Sequence, residues 1–144
     1  MFNFELELPC QTSSIEIFDA AANELLEKCT DSHRMLSFVI HELLINSLEA
    51  SVRRFGEEAI HRFIKLKMSY QLSTIEISVI DSAGGMSPES LQHFEQESLD
   101  NLLDRECGRG LLMVKNMVDD LEMDYDSQGL FEVKVRKEGV AIHE

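Results

Sequence analysis

The chain is short of positive charge, of cysteine and of long apolar runs, and each shortage narrows what it can do. Thirteen lysines and arginines stand against 27 aspartates and glutamates, a formal net charge of -14 over 144 residues. The average field of such a chain repels DNA, RNA and anionic membranes, which argues against direct nucleic-acid binding and leaves solubility, or a basic protein partner, as the meaning of the charge. No apolar run approaches the roughly 20 residues of a membrane span. The start, Met1-Phe2-Asn3-Phe4-Glu5, lacks the basic residues and apolar stretch of a secretory leader, so a cytoplasmic protein without membrane contact is expected. Cys10, Cys29 and Cys107 are odd in number, widely spaced and without a Cys-x-x-Cys pair, which fits reduced structural thiols rather than zinc or disulfides. The histidines, His33, His41, His61, His93 and His143, show no metal-ligand spacing. Also missing are a Walker A loop, a full Gly-x-Gly-x-x-Gly and a Gly-x-Ser-x-Gly elbow, which disfavours P-loop, Rossmann and serine-hydrolase chemistry. With 44% hydrophobic residues and no repeat or linker, residues 1–144 are expected to form one domain.

What is present reads as alternating elements. Phe2, Phe4, Leu6 and Leu8 alternate with polar residues and predict a strand over 2–8 that Pro9 stops. Ser13 or Ser14 would cap a helix carrying Ile15, Phe18, Ala22, Leu25 and Leu26 and ending near Lys28. A longer helix is predicted from Asp31 or Ser32 to about Arg54, with Gly56 as its stop. Ile64, Leu66, Met68 and Tyr70, then Ile75, Ile77 and Val79, alternate as the two strands of a hairpin. Ser87-Pro88 opens a short helix, and the charged stretch 96–108 reads as a lid-like loop or loose helix. A helix from Gly110 places Leu111, Val114, Val118 and Leu121 on one face, and a last hairpin turns at Ser127-Gln128-Gly129 before Phe131, Val133 and Val135. This order predicts an α/β chain, an α+β two-layer sandwich in which helices cover one face of a mixed, mostly antiparallel sheet.

Three segments carry chemistry. On the long helix Glu42, Asn46, Glu49 and Arg53 fall on one stripe at 100° per residue, either a solvent face with a Glu49–Arg53 ion pair or the floor of a phosphate site. In the second reading the Asn46 amide oxygen is a ligand for Mg²⁺, Glu42 a base near the terminal phosphate, and Glu49 an orienting neighbour. His41 points about 100° away from this stripe and is no phosphoacceptor in that reading. Asp81 continues the inward parity of Ile75, Ile77 and Val79, so its carboxylate is buried and must find a donor. An adenine amino group is one candidate and the chain's own turn amides are another, with Ala83-Gly84-Gly85 lacking bulk beside it. Gly108-Arg109-Gly110 precedes a helix, where free N–H groups and the helix dipole attract phosphate, and Arg105, Arg109 and Lys115 add local positive charge.

These residues resemble the ATP-binding superfamily of gyrase, Hsp90, histidine kinases and MutL. Glu42-Leu43-Leu44-Ile45-Asn46-Ser47-Leu48-Glu49-Ala50 is similar to its first box, Asp81-Ser82-Ala83-Gly84-Gly85-Met86 to its second, and Gly108-Arg109-Gly110-Leu111 to its third. Within it, the chain most resembles the bacterial anti-sigma factor serine kinases, helped by Leu112-Met113-Val114 and by Met117-Val118-Asp119-Asp120-Leu121-Glu122. The resemblance implies a Bergerat-type ATP-binding fold, ATP and Mg²⁺ as cofactors, and a protein-serine kinase acting on an anti-anti-sigma (STAS-like) antagonist while holding a sigma factor. It also implies a homodimer. In that scheme Glu42 is catalytic, Asn46 ligates the metal, and Glu49 stands beside it. Asp81 reads adenine, Gly85 lets the ring in, Gly108 and Gly110 wrap the phosphates, and Met86, Arg105, Arg109 and Leu111 complete the nucleotide-binding set. The chain departs from the pattern at Ala83, where a glycine is usual, at Ala50, where the kinases often have histidine, and at Leu130, where threonine is common. A non-catalytic interaction module on the same fold and a stand-alone histidine-kinase-type ATPase domain are the alternatives.

Overall fold

The computed structural model describes residues 1–83 and 109–143. In chain order they form β1 (Phe2–Pro9), α1 (Thr12–Cys29), α2 (His33–Phe55), a 3-10 turn (Gly56–His61), β2 (Phe63–Gln71), β3 (Thr74–Asp81), α3 (Arg109–Met117), β4 (Asp120–Tyr125) and β5 (Phe131–Lys137). The strands make one five-stranded sheet in the order β1-β2-β3-β5-β4. Every pairing is antiparallel, so the expectation of a mixed sheet gives way, among the described residues, to a purely antiparallel one. Side-chain alternation says which face is buried but nothing about strand direction, which long-range pairing decides.

Helices pack on one face, and the core lies between the two layers. Phe18 and Leu26 from α1, Leu36, Val39, Ile40 and Leu44 from α2, and Ile64 and Leu66 from β2 are fully buried. Each such side chain contributes about 1.5–3 kcal/mol by leaving water. The span 33–61 is apolar enough in its best 18-residue window, mean hydropathy 1.3, to cross a membrane by length and composition alone, contrary to the expectation that no stretch qualifies. Within the fold that apolarity faces the sheet and α1: Leu36, Val39, Ile40, Leu43 and Leu44 are all core residues.

Element ends follow local chemistry. The α1 helix begins one residue before the predicted serines, with extended Gln11 as its cap and Ser14 buried rather than capping through its side chain. Gly56 ends α2 with φ +60, as its lack of a Cβ allows. The last predicted helix stops at Met117, and Leu121 lies in β4 instead of on the helix. The Asp119 amide bonds the Arg136 carbonyl, and Asp120 pairs with Arg136 in the sheet. Pairing with β5 therefore overrides a helical spacing that Val118 and Leu121 happen to satisfy. Beyond β5, Val140 is buried and tied by its amide to the Ser73 carbonyl and by its carbonyl to the Tyr70 hydroxyl, both at 2.9 Å.

Candidate nucleotide site

The helix α2 crosses the sheet so that its middle meets the end of β3 on one side and α3 on the other. Glu42 and Asn46, one turn apart, are half-buried there, while Glu49 and Arg53 further along the stripe are exposed. Glu49 and Arg53 thus lie on the solvent side, as the structural reading of the stripe expects, but no ion pair joins them among the described residues. His41 points elsewhere, as its angle requires, with Nδ1 2.7 Å from Asp19 Oδ2 on α1.

Glu42 reaches the third motif. A Cβ built on Gly110 would stand 1.8 Å from Glu42 Oε2 and 2.6 Å from its Cδ, so the carboxyl group lies against bare backbone in the first described turn of α3. Any larger residue at 110 would have to push that side chain away. The positive end of α3 favours a negative group there, a carboxylate now or a phosphate in its place. Leu111 is buried in the core, which leaves its backbone as the group it can offer a ligand.

Asp81 ends β3 with only 3% of its surface exposed. One carboxylate oxygen, Oδ2, accepts the hydroxyl proton of Ser47, itself buried on α2. The other, Oδ1, accepts the Ala83 amide at 2.8 Å. Of the two donors expected for this buried aspartate, the chain's own turn amide takes one oxygen, and a helix hydroxyl that neither reading named takes the other. The Ala83 carbonyl in turn accepts from Arg54 Nη1 at 2.7 Å, and its side chain is buried. Behind this group lies Cys10: burial pushes its thiol up, the Ser51 hydroxyl opposes that shift, and the charge of Asp81 adds to burial.

Ser47 and Arg54 are contributors that sequence reading passed over. The available signal was a serine between Leu43 and Leu44 on the helix face that packs inward, a position where a hydroxyl needs a partner. Gly85, Met86, Arg105 and Gly108 lie outside the described residues, as do the short helix predicted at Ser87-Pro88 and the lid at 96–108. The backbone of Arg109 opens α3.

The residues present suit a magnesium nucleotide. A carboxamide and a carboxylate share one half-buried helix turn, a glycine without which the carboxylate could not sit at a helix start faces them, and a buried carboxylate held on both oxygens stands nearby. A hollow of about 540 Å³ lies elsewhere, between α1 and α2 beside Asp19, Asn23, Phe38 and His41, and includes none of the motif residues. Among the described residues no group of three or more histidine, cysteine, aspartate or glutamate side chains is arranged to hold a metal ion.

The chain has no match among curated proteins. Residues 12–137 do match a family described as the histidine kinase-like ATPase domain, a span that includes both boxes on α2 and β3 and the start of α3. On that match over most of its length, the chain belongs to the histidine kinase-like ATPase domains, a family of ATP-using proteins.

Proposed function

We propose that this protein binds Mg-ATP where the Glu42–Asn46 turn of α2 meets α3, and that it transfers the terminal phosphate to a serine of a STAS-like antagonist protein. The observation that carries this reading is the approach of Glu42 to Gly110, which joins the first motif to the third across two separate helices. Asn46 would hold Mg²⁺ through its amide oxygen, and Asp81 would accept the adenine amino group. When bound, the ion supplies neutralisation of the triphosphate charge in a chain otherwise rich in acid.

In the transfer step the serine hydroxyl gives its proton to Glu42 as its oxygen bonds the γ-phosphorus, while the bond from that phosphorus to the β–γ bridging oxygen breaks and ADP leaves. Phosphorylation would release the antagonist and free the surface that holds a sigma factor. A cytoplasmic homodimer is part of the same proposal, with edge strand β1, whose Phe2, Phe4, Leu6 and Leu8 pack half-buried against the core, as one surface open to a second copy.

Incubation with labelled Mg-ATP and a STAS-like antagonist tests it, with label expected on serine. Label on histidine would point instead to a histidine-kinase-type ATPase. Absence of any adenine-nucleotide binding at millimolar Mg²⁺ would remove the reading. Unchanged partner binding by a Glu42→Ala, Asn46→Ala double variant, with no ATP effect, would favour a non-catalytic module.

A further inference from the structure

Four groups at the end of β3 form a closed circuit with one face of α2. Ser47 donates to Asp81 Oδ2, Asp81 Oδ1 accepts the Ala83 amide at 2.8 Å, and the Ala83 carbonyl accepts Arg54 Nη1 at 2.7 Å. Ser47, Ser51 and Arg54 are spaced four and three apart and so share a stripe about 100° from the Glu42–Asn46 ridge. A carboxylate at a strand end, one residue from a turn, has rotational freedom about two bonds unless something removes it. Here a donor on each oxygen fixes its plane, and both donors are inside the protein, where an unmet partner would be costly.

We propose that Ser47 is a positioning residue for base recognition: through Asp81 it holds the carboxylate in the orientation that accepts a 6-amino purine and repels a 6-oxo one. This rests on the reading of the site as an ATP site. The 6-amino group of adenine donates, whereas a 6-oxopurine presents an acceptor at the same place, against which a fixed carboxylate oxygen has no bond to make. A carboxylate free to rotate relaxes that discrimination, because the acceptor is no longer aimed. Arg54 completes the device from the same helix by fixing the Ala83 carbonyl, so the turn that follows Asp81 is tied at both its polar atoms.

The test is direct binding of ATP and of inosine triphosphate, its 6-oxo analogue, with Mg²⁺ to the full chain. Ser47→Ala is expected to weaken ATP about tenfold and leave inosine triphosphate within about twofold, so that the affinity ratio collapses by most of a factor of ten. Ser47→Cys, which keeps the volume but donates weakly, is expected to fall between, and serves if the alanine variant does not fold. In an Asp81→Asn background Ser47→Ala should change the ratio no further, since the serine acts only through that carboxylate. Equal losses for both nucleotides, an unchanged ratio in the folded variants, or full additivity with Asp81→Asn would overturn the proposal. Failure of the parent chain to bind ATP would instead overturn the underlying reading of the site.

Discussion

The carboxylate of Glu42 occupies the space that a side chain at residue 110 would need, with Oε2 1.8 Å from the position of a Gly110 Cβ. The glycine in the third motif is therefore explained by a neighbour from the first. Its backbone is ordinary helix, so no special dihedral is being served, only proximity.

Gly110→Ala should accordingly separate stability from activity. Alanine favours the helix interior by about 0.5–1 kcal/mol over glycine. The clashing atoms belong to the far end of a flexible side chain, which can swing away. Thermal unfolding is expected to show equal or slightly higher stability, while phosphoryl transfer falls at least about tenfold because the base is displaced.

Glu42→Gln keeps the shape and removes the basic oxygen. Steady-state transfer assays should show kcat reduced by about 10²–10⁴-fold with ATP affinity retained. Asn46→Ala should do the reverse first, losing the part of nucleotide affinity that depends on Mg²⁺, measured by binding with and without the ion.

The β2–β3 turn is a stability site remote from this chemistry. Leu72 and Ser73 have φ of +52 and +64, a region that costs residues with a Cβ about 1–2 kcal/mol each. Replacing the pair by Asn-Gly, which suits such a turn, should stabilise by about 1 kcal/mol in urea unfolding and leave nucleotide affinity unchanged.

Cys10 predicts a pH dependence. Its folded thiol holds its proton to higher pH than the unfolded thiol, chiefly through burial. The associated stability is complete below the unfolded value, about 8.5, and is lost as pH rises through the folded value, because the unfolded chain then binds fewer protons. Denaturant titrations from pH 8 upward should show Cys10→Ala losing less stability with pH than the parent, the slope being what is read.

Much of this was legible from residue order. Period-two alternation located β2 and β3 and put Asp81 on the buried face, and the 100° rule placed Glu42 with Asn46 and turned His41 away from their stripe. The end of α3 was not legible, because Val118 and Leu121 fit a helix locally and only the pairing of Asp120 with Arg136 decides otherwise. Nor was the 3-10 turn over Gly56–His61, which carries no apolar period. Ser47 escaped for a different reason: a serine has no chemistry of its own until the fold sets it against Asp81, 34 residues away.

The most direct measurement is the unfolding temperature with and without ATP, with and without Mg²⁺, for the parent chain and Asn46→Ala. A ligand at about 100 times its Kd stabilises by about 2.7 kcal/mol, worth several degrees in a chain of this size at about 2–4 °C per kcal/mol. A rise of that order with Mg-ATP, largely absent in Asn46→Ala, is predicted. The same temperature with and without nucleotide at millimolar concentration, or an equal rise in both proteins, would contradict a triphosphate site built on α2 and the start of α3.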